Sequence, residues 1–285
     1  MSELRVISIS SYEDALSRID DIAQVFEEDG VVVLRGHAFS LDEHRDIVKP
    51  LGDRYGWSIS SSSEPAILDS AVYPGGHSDN PDMNTEHTKE DYMLDWHIEQ
   101  VYYIYPILAG AWNMTRFTAE KGIGNTRFVD STALYKDLSR EEQEFLDKSV
   151  VIWDKPFNLG KGPFYTKAVD YHPRSGEPVI RVETDQGCYL HPELHLWDRQ
   201  EPTEEQSVMF KAIMQKIKTR LNEDTDIRLT QEWEQGDLLI VDLFRMYHSV
   251  MGGFRYNERV FTGIGIRPEV HDNSLYTDVE LLWKS

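Results

Sequence analysis

Gly236-Asp-Leu-Leu-Ile-Val-Asp-Leu-Phe-Arg-Met-Tyr-His248, then the turn Gly252-Gly253, then Arg259-Val-Phe-Thr-Gly-Ile-Gly-Ile266, is the stretch that decides the fold class. Leu238 to Phe244 is an apolar run too short for a helix and bounded by turn residues, which reads as a strand buried on both faces. Residues 259–266 read as another strand, and 227–233 as a third. Upstream, 4–8 suggest a short strand. Ser11 opens a helix in which Ala15, Ile19, Ile22, Ala23 and Phe26 fall at helical spacing, and Gly30 stops it. Val31-Val-Val-Leu34 is a further apolar strand, and Ser40 caps a second helix through about Pro50, ended by Gly52.

The middle of the chain continues the theme. Runs 96–105, 107–117, 126–129, 150–152 and 178–184 read as strands, interrupted by a short helix from Ser139 to about Lys148. Thr203 with Gln206 forms a capping box for another helix, whose buried face comes from Val208, Phe210, Ile213, Ile217 and Leu221. Many strands, few helices, no repeat and no linker predict one domain over 1–285: an all-β core with helical decoration, a sandwich or jelly roll. Between Trp57 and Asp91 the pattern dissolves into Ser, Gly, Pro, Asn and acidic residues. A loop this long in a compact chain is usually functional, so 57–92 is expected to be an active-site lid. Its Asp79, Asp82, Glu86, Glu90 and Asp91 are candidates to meet a cationic substrate.

Composition removes whole classes of function. Fifty Asp plus Glu against 29 Lys plus Arg give a formal net charge of −21 over 285 residues. Such a surface repels phosphate backbones and anionic lipid, so neither nucleic acid nor a membrane is an expected partner. Cys188 is the single cysteine, which excludes an internal disulfide and any cysteine-based zinc or iron–sulfur site, and reads as a small packing residue. No secretory leader or apolar span is evident, and the expected location is the cytoplasm.

The metal chemistry rests on His-x-Asp/Glu, the short half of a two-His-one-carboxylate set that leaves iron positions open. Ten His and 50 acidic residues make about two matches expected by composition alone. Four occur: His44/Asp46, His77/Asp79, His97/Glu99 and His191/Glu193. The first lies in a helix, where i and i+2 diverge, and the second in the Gly- and Ser-rich loop. The fourth, with His195 nearby, lies in a Pro-containing loop and is a competitor. Only His97/Glu99 opens an aromatic strand, Trp96-His-Ile-Glu-Gln-Val-Tyr-Tyr103, where alternation puts His97 and Glu99 on one face. The third ligand should be a distant His ending a strand, and His248 fits. Arg259 then opens the last strand, with a planar fork suited to gripping a carboxylate.

In register over about 28–267, the chain resembles the taurine dioxygenase-like family of Fe(II)/2-oxoglutarate oxygenases. The likeness is carried by Gly30-Val-Val-Val-Leu-Arg-Gly36, Leu51-Gly52, Trp96-His97, Gly124-Asn-Thr126, Ser131–Ser139, Gly236-Asp237, Asp242, Arg245, His248 and Arg259. The resemblance implies a double-stranded β-helix. It implies that Thr126 and Arg259 bind 2-oxoglutarate, and that O2 and 2-oxoglutarate are consumed to give succinate and CO2. The family's usual carboxylate ligand is Asp; Glu99 is similar to the clavaminate synthase-like branch, which implies hydroxylation of an unactivated C–H in an amino-acid-like substrate. Sulfonate-using relatives place a further Arg where this chain has Val260-Phe-Thr-Gly-Ile264, which argues against taurine. A carboxylate ligand argues against halogenation. Trp112 and Arg245 are candidate substrate contacts, and homo-oligomers are common in the family. Two other readings stay open: a non-catalytic jelly-roll binding or sensor protein, and a cupin-like metalloenzyme using His191, Glu193 and His195 without 2-oxoglutarate.

Overall fold

The computed structural model describes residues 4–59, 66–69, 92–101, 103–153, 164–182, 192–196, 202–255 and 258–268. In chain order the elements are β1 (Val6–Ser8), α1 (Tyr12–Ser17), α2 (Ile19–Asp29), β2 (Val31–Arg35), α3 (Leu41–Arg54), β3 (Trp57–Ile59), β4 (Ala66–Asp69), β5 (Tyr92–His97), β6 (Ala109–Phe117) and β7 (Thr126–Asp130). They continue with α4 (Ser131–Lys136), α5 (Arg140–Leu146), β8 (Ser149–Trp153), β9 (Phe164–Lys167), β10 (Val169–Tyr171), β11 (Pro178–Ile180), β12 (Pro192–Leu196), α6 (Glu204–Glu223), β13 (Arg228–Gln231), β14 (Leu238–Asp242), β15 (Met246–Met251) and β16 (Arg259–Pro268).

Two sheets carry the core. The larger runs β1-β2-β14-β6-β16-β3, with β4 also on the outer edge of β16; the smaller runs β13-β7-β15-β5. β1 and β2 are parallel and the other pairings of these sheets antiparallel. The apolar run that decided the class, β14, lies between β2 and β6 and is buried at every position. Such a strand has no solvent face to pattern, hence the unbroken apolar run Leu238–Val241 before Asp242. Two small sheets, β10-β11 and β12-β8-β9, complete the β structure, and α6 packs Phe210, Ile213, Ile217 and Leu221 inward. The core is mostly β with helical decoration, as read from the sequence.

Several elements differ from the sequence reading, each for a local reason. The first helix is two, broken at Arg18, whose backbone leaves the helical region (φ −110°) while its guanidinium reaches back to the Ser8 carbonyl at 2.9 Å. The second runs past Gly52 to Arg54 and contains Pro50. Gly52 serves close approach rather than termination: a Cβ there would lie 2.9 Å from the Trp57 carbonyl oxygen. Val208, assigned to the buried face of α6, is 61% exposed. The run 96–105 is not one strand, since β5 stops at His97 and a turn follows. His248 does not end the apolar strand; it lies within a separate strand, β15, which the mixed polar and apolar Arg-Met-Tyr-His-Ser sequence did not announce. Within 57–92, strands β3 and β4 are hydrogen-bonded to β16. Residues 60–65 and 70–91 of the expected lid, with Asp79, Asp82, Glu86, Glu90 and Asp91, lie outside the described residues, as does Cys188.

His44 is a buried side chain, away from the cavity, that constrains acid stability. It faces inward from α3 with no exposed surface, and burial pushes its pKa down to about 4, the Ala111 backbone opposing the shift. A histidine with a lowered folded pKa supports the fold fully above its unfolded value near 6.5, and that support is lost as pH falls toward about 4. The His44→Leu protein should therefore lose less stability on acidification than the parent. The expected difference is up to about 3 kcal/mol at pH 4, from the shift between the two pKa values. Urea midpoints at pH 7 and pH 4 measure it, and parallel losses in both proteins would refute it.

Candidate metal and co-substrate site

Antiparallel pairing of β5 with β15 sets His97 directly across from His248, and β7 on the other side of β15 sets Phe128 across from His248. Directly opposed residues project to one face, so the two imidazoles meet, with ring centroids 3.9 Å apart. Glu99 arrives by a different device from the strand alternation expected. The chain turns immediately after β5, and this turn swings the Glu99 carboxylate back toward the rings, with Oε2 4.0 Å from His248 Nε2. One ligand-type atom from each of His97, Glu99 and His248 lies within 4.8 Å of the others.

The electrostatics suit a cation. His97 Nδ1 donates to the Asp95 carbonyl at 2.8 Å, which leaves Nε2 as the lone-pair nitrogen. Burial lowers the pKa of His97 against the opposing pull of Glu99, and lowers that of His248 further, with His97 adding to the effect. Both rings are thus neutral near pH 7, the form a metal ligand requires. Two neutral imidazoles and one carboxylate crowded on one side of a cavity fit a divalent iron with open positions.

The cavity holds about 220 Å³ and is bordered by all three of these residues, by Thr126, Arg259 and Trp112, and by apolar side chains including Met93, Ile107 and Leu243. Thr126 opens β7 in the small sheet and Arg259 opens β16 in the large one; they meet across the interior, Arg259 Nη2 donating to Thr126 Oγ1 at 2.9 Å. The Arg259 guanidinium lies 5.3–5.7 Å from the ring centroids of Phe261, Trp233 and Phe254. Arg259 is 1% exposed, and burial pushes its pKa down to about 9. A carboxylate is the ligand that best offsets such a desolvated charge. Gly124 admits this packing, since its φ is +65° and a Cβ would come within 3.2 Å of Arg259 Cδ.

The other sequence candidates separate. Trp112 lines the cavity with its ring 5.6 Å from that of His248. Arg245 is not among the lining residues. It is buried beside Asp130 (3.2 Å) and Asp242 (3.4 Å) and donates to the Glu27 carbonyl. His172 Nε2 approaches the same Asp242 at 2.9 Å, so Arg245 belongs to a buried structural ion network rather than to the cavity. Arg245 lies in the turn between β14 and β15, outside both strands. His191 lies outside the described residues, and Glu193 and His195 sit on β12, opposite Ile152 and Val150 of β8.

Three residues of the site escaped the sequence reading. Gln100 borders the cavity with φ +50°, the non-glycine residue with positive φ among those described, and its Oε1 is buried with no hydrogen-bond partner. Arg181 donates to the Phe244 carbonyl (2.6 Å) and to the Glu99 carbonyl (3.4 Å), linking the segments that lead to two of the candidate ligands. Trp233 donates its indole N–H to Thr126 Oγ1. None of these has a local signature, because each is defined by what it meets across the fold.

Comparison with known proteins agrees with this geometry. The family model described as "Taurine catabolism dioxygenase TauD, TfdA family" matches residues 4–264. Comparison with curated protein sequences finds no match. Among solved structures, a taurine dioxygenase from Burkholderia xenovorans superposes with a TM-score of 0.63 at 15% identity, covering 89% of this chain and 82% of that one. AAD-2, in complex with Mn(II) and N-oxalylglycine, gives 0.60 at 13% identity, with 97% and 98% covered. The PvcB protein from Pseudomonas aeruginosa gives 0.58 at 14% identity, with 91% and 82% covered. Among the described residues no helix is long and apolar enough to cross a membrane. The chain belongs to the taurine catabolism dioxygenase TauD, TfdA family and is a 2-oxoglutarate-dependent non-haem iron dioxygenase.

Proposed function

We propose that His97, Glu99 and His248 hold the ferrous ion, that Thr126 and Arg259 bind the distal carboxylate of 2-oxoglutarate, and that the enzyme hydroxylates an unactivated C–H of a small amino-acid-like substrate. The observation that carries the reading is a single cavity bordered both by three ligand-type atoms within 4.8 Å of one another and by a buried arginine. The two main sheets are read as the halves of a double-stranded β-helix, with the cavity between them and 1–285 as one catalytic domain. A cytoplasmic setting is in keeping with a single cysteine. Homo-oligomerisation rests on the family resemblance alone.

Within this reading each side chain has a defined task. The neutral imidazoles and the carboxylate fix the metal's position, and the His97–Asp95 hydrogen bond fixes the ring that faces it. The apolar walls exclude water and lodge a hydrocarbon segment beside the metal. Iron with 2-oxoglutarate supplies the O2-dependent oxidation, releasing succinate and CO2.

Gln100 favours an amino-acid-like substrate. An orphaned amide oxygen and left-handed backbone in one residue are costs retained mainly at functional positions. That oxygen accepts hydrogen bonds, so the matching group on a substrate is an N–H or O–H donor, an α-ammonium among them. Succinate release, measured with Fe(II), 2-oxoglutarate and a panel of free L-amino acids and small amines, should rise above the uncoupled rate for at least one member. Gln100→Leu should then raise the KM for that member about tenfold, the scale of one hydrogen bond to a charged group. No succinate under any condition would instead point to a binding or sensor protein.

A further inference from the structure

Two donors converge on one oxygen. The Trp233 indole N–H donates to Thr126 Oγ1 at 3.0 Å, and Arg259 Nη2 donates to the same atom at 2.9 Å. A hydroxyl carries two lone pairs and one hydrogen. With both lone pairs engaged, Thr126 retains only its hydrogen to offer. Neither an indole N–H nor a guanidinium can accept that hydrogen, so neither neighbour can reverse its role. All three side chains are buried, with Thr126 fully enclosed, so bulk water does not reorient them.

We propose that Trp233 is a positioning residue for the co-substrate: by occupying the second lone pair of Thr126, it makes the hydroxyl a committed donor toward the carboxylate that Arg259 grips. The inference rests on reading Thr126 and Arg259 as the carboxylate subsite. The fold places the indole there for a plain reason. β13 pairs with β7 so that Gln231 opposes Thr126, and Trp233 follows two residues later. The same ring lies 5.4 Å from the Arg259 guanidinium carbon, so one side chain both packs against the cation and orients the hydroxyl beside it. A ligand group that cannot accept, such as an ammonium, is rejected twice at this end of the cavity. A carboxylate oxygen is welcomed by both donors.

Trp233→Phe keeps an aromatic face and removes the N–H. In calorimetric titrations of the Mn(II)-loaded protein with 2-oxoglutarate, this variant should bind about five- to tenfold more weakly, the scale of one hydrogen bond. Affinity for Mn(II) alone should not change. In a Thr126→Val background, which has no hydroxyl to orient, Trp233→Phe should cause no further loss. Equal losses in both backgrounds would mean that Trp233 acts by packing, and would overturn the proposal. Trp233→His, which retains a ring N–H, should bind within about twofold of the parent; a loss as large as that of the phenylalanine variant would also overturn it. If Thr126→Val and Arg259→Leu weaken 2-oxoglutarate binding but Trp233→Phe does not, the inference fails and the subsite stands. If none of the three weakens it, the subsite reading itself fails.

Discussion

Glu99→Ala protein, given Fe(II) and 2-oxoglutarate without oxygen, should show no visible charge-transfer band, whereas the parent shows one. The carboxylate is the one anionic member of the candidate triad, and its two partners are neutral because burial depresses their pKa values. Without it, a divalent ion would face two uncharged imidazoles in an apolar cavity and would lose the charge compensation that offsets its dehydration. Metal affinity should fall by more than about 100-fold, since loss of an outer-shell partner alone costs 10–100-fold. Succinate formation should fall with it. Glu99 lies in a turn and makes no core contact comparable to Trp96 or Ile98, so the circular dichroism spectrum should match the parent's. A variant that retains the band would show that the carboxylate at 99 does not ligate iron.

Arg259→Leu should separate co-substrate binding from folding. Truncating one partner of a buried, hydrogen-bonded charge pair costs about 2–5 kcal/mol, which corresponds to a 2-oxoglutarate affinity at least about 30-fold weaker. The metal-binding residues are untouched, so Fe(II) affinity should hold. Stability should move the other way from intuition. In the absence of co-substrate, Arg259 is a desolvated cation whose pKa burial lowers to about 9. Replacing a buried charge by an apolar side chain of similar volume is often neutral or stabilising. The leucine variant should therefore unfold at a urea concentration no lower than the parent's. Titration with 2-oxoglutarate and urea denaturation check the two halves, and unchanged affinity would remove Arg259 from the co-substrate site.

The β class of this chain was legible in the sequence because strands buried on both faces have no polar register to maintain. β2 and β14 appear as unbroken runs of Val, Ile and Leu, and the helix starts at Ser40, Ser139 and Thr203 appear as capping boxes whose bonds are local. His97, Glu99, His248 and Arg259 could be singled out because, of four His-x-Asp/Glu matches, only His97/Glu99 opens an aromatic strand, and His248 and Arg259 follow it in the order of the family resemblance. What the sequence could not determine was how they meet. The pairing of His97 with His248 is a register across β5 and β15, and β15 itself mixes polar and apolar residues and is held by neighbours on both sides. Glu99 reaches the same centre through a turn, not through alternation. Arg245, on the same segment as His248, was drawn instead into a buried ion network with Asp130 and Asp242, with a further hydrogen bond to the Glu27 backbone carbonyl. Gln100, Arg181 and Trp233 acquire their roles only from partners distant in the chain or from backbone strain. Hydrophobic period and capping are properties of near neighbours, so a linear reading contains them. Convergence of donors depends on strand register and turn geometry set by the whole core, and only the tertiary structure decides it.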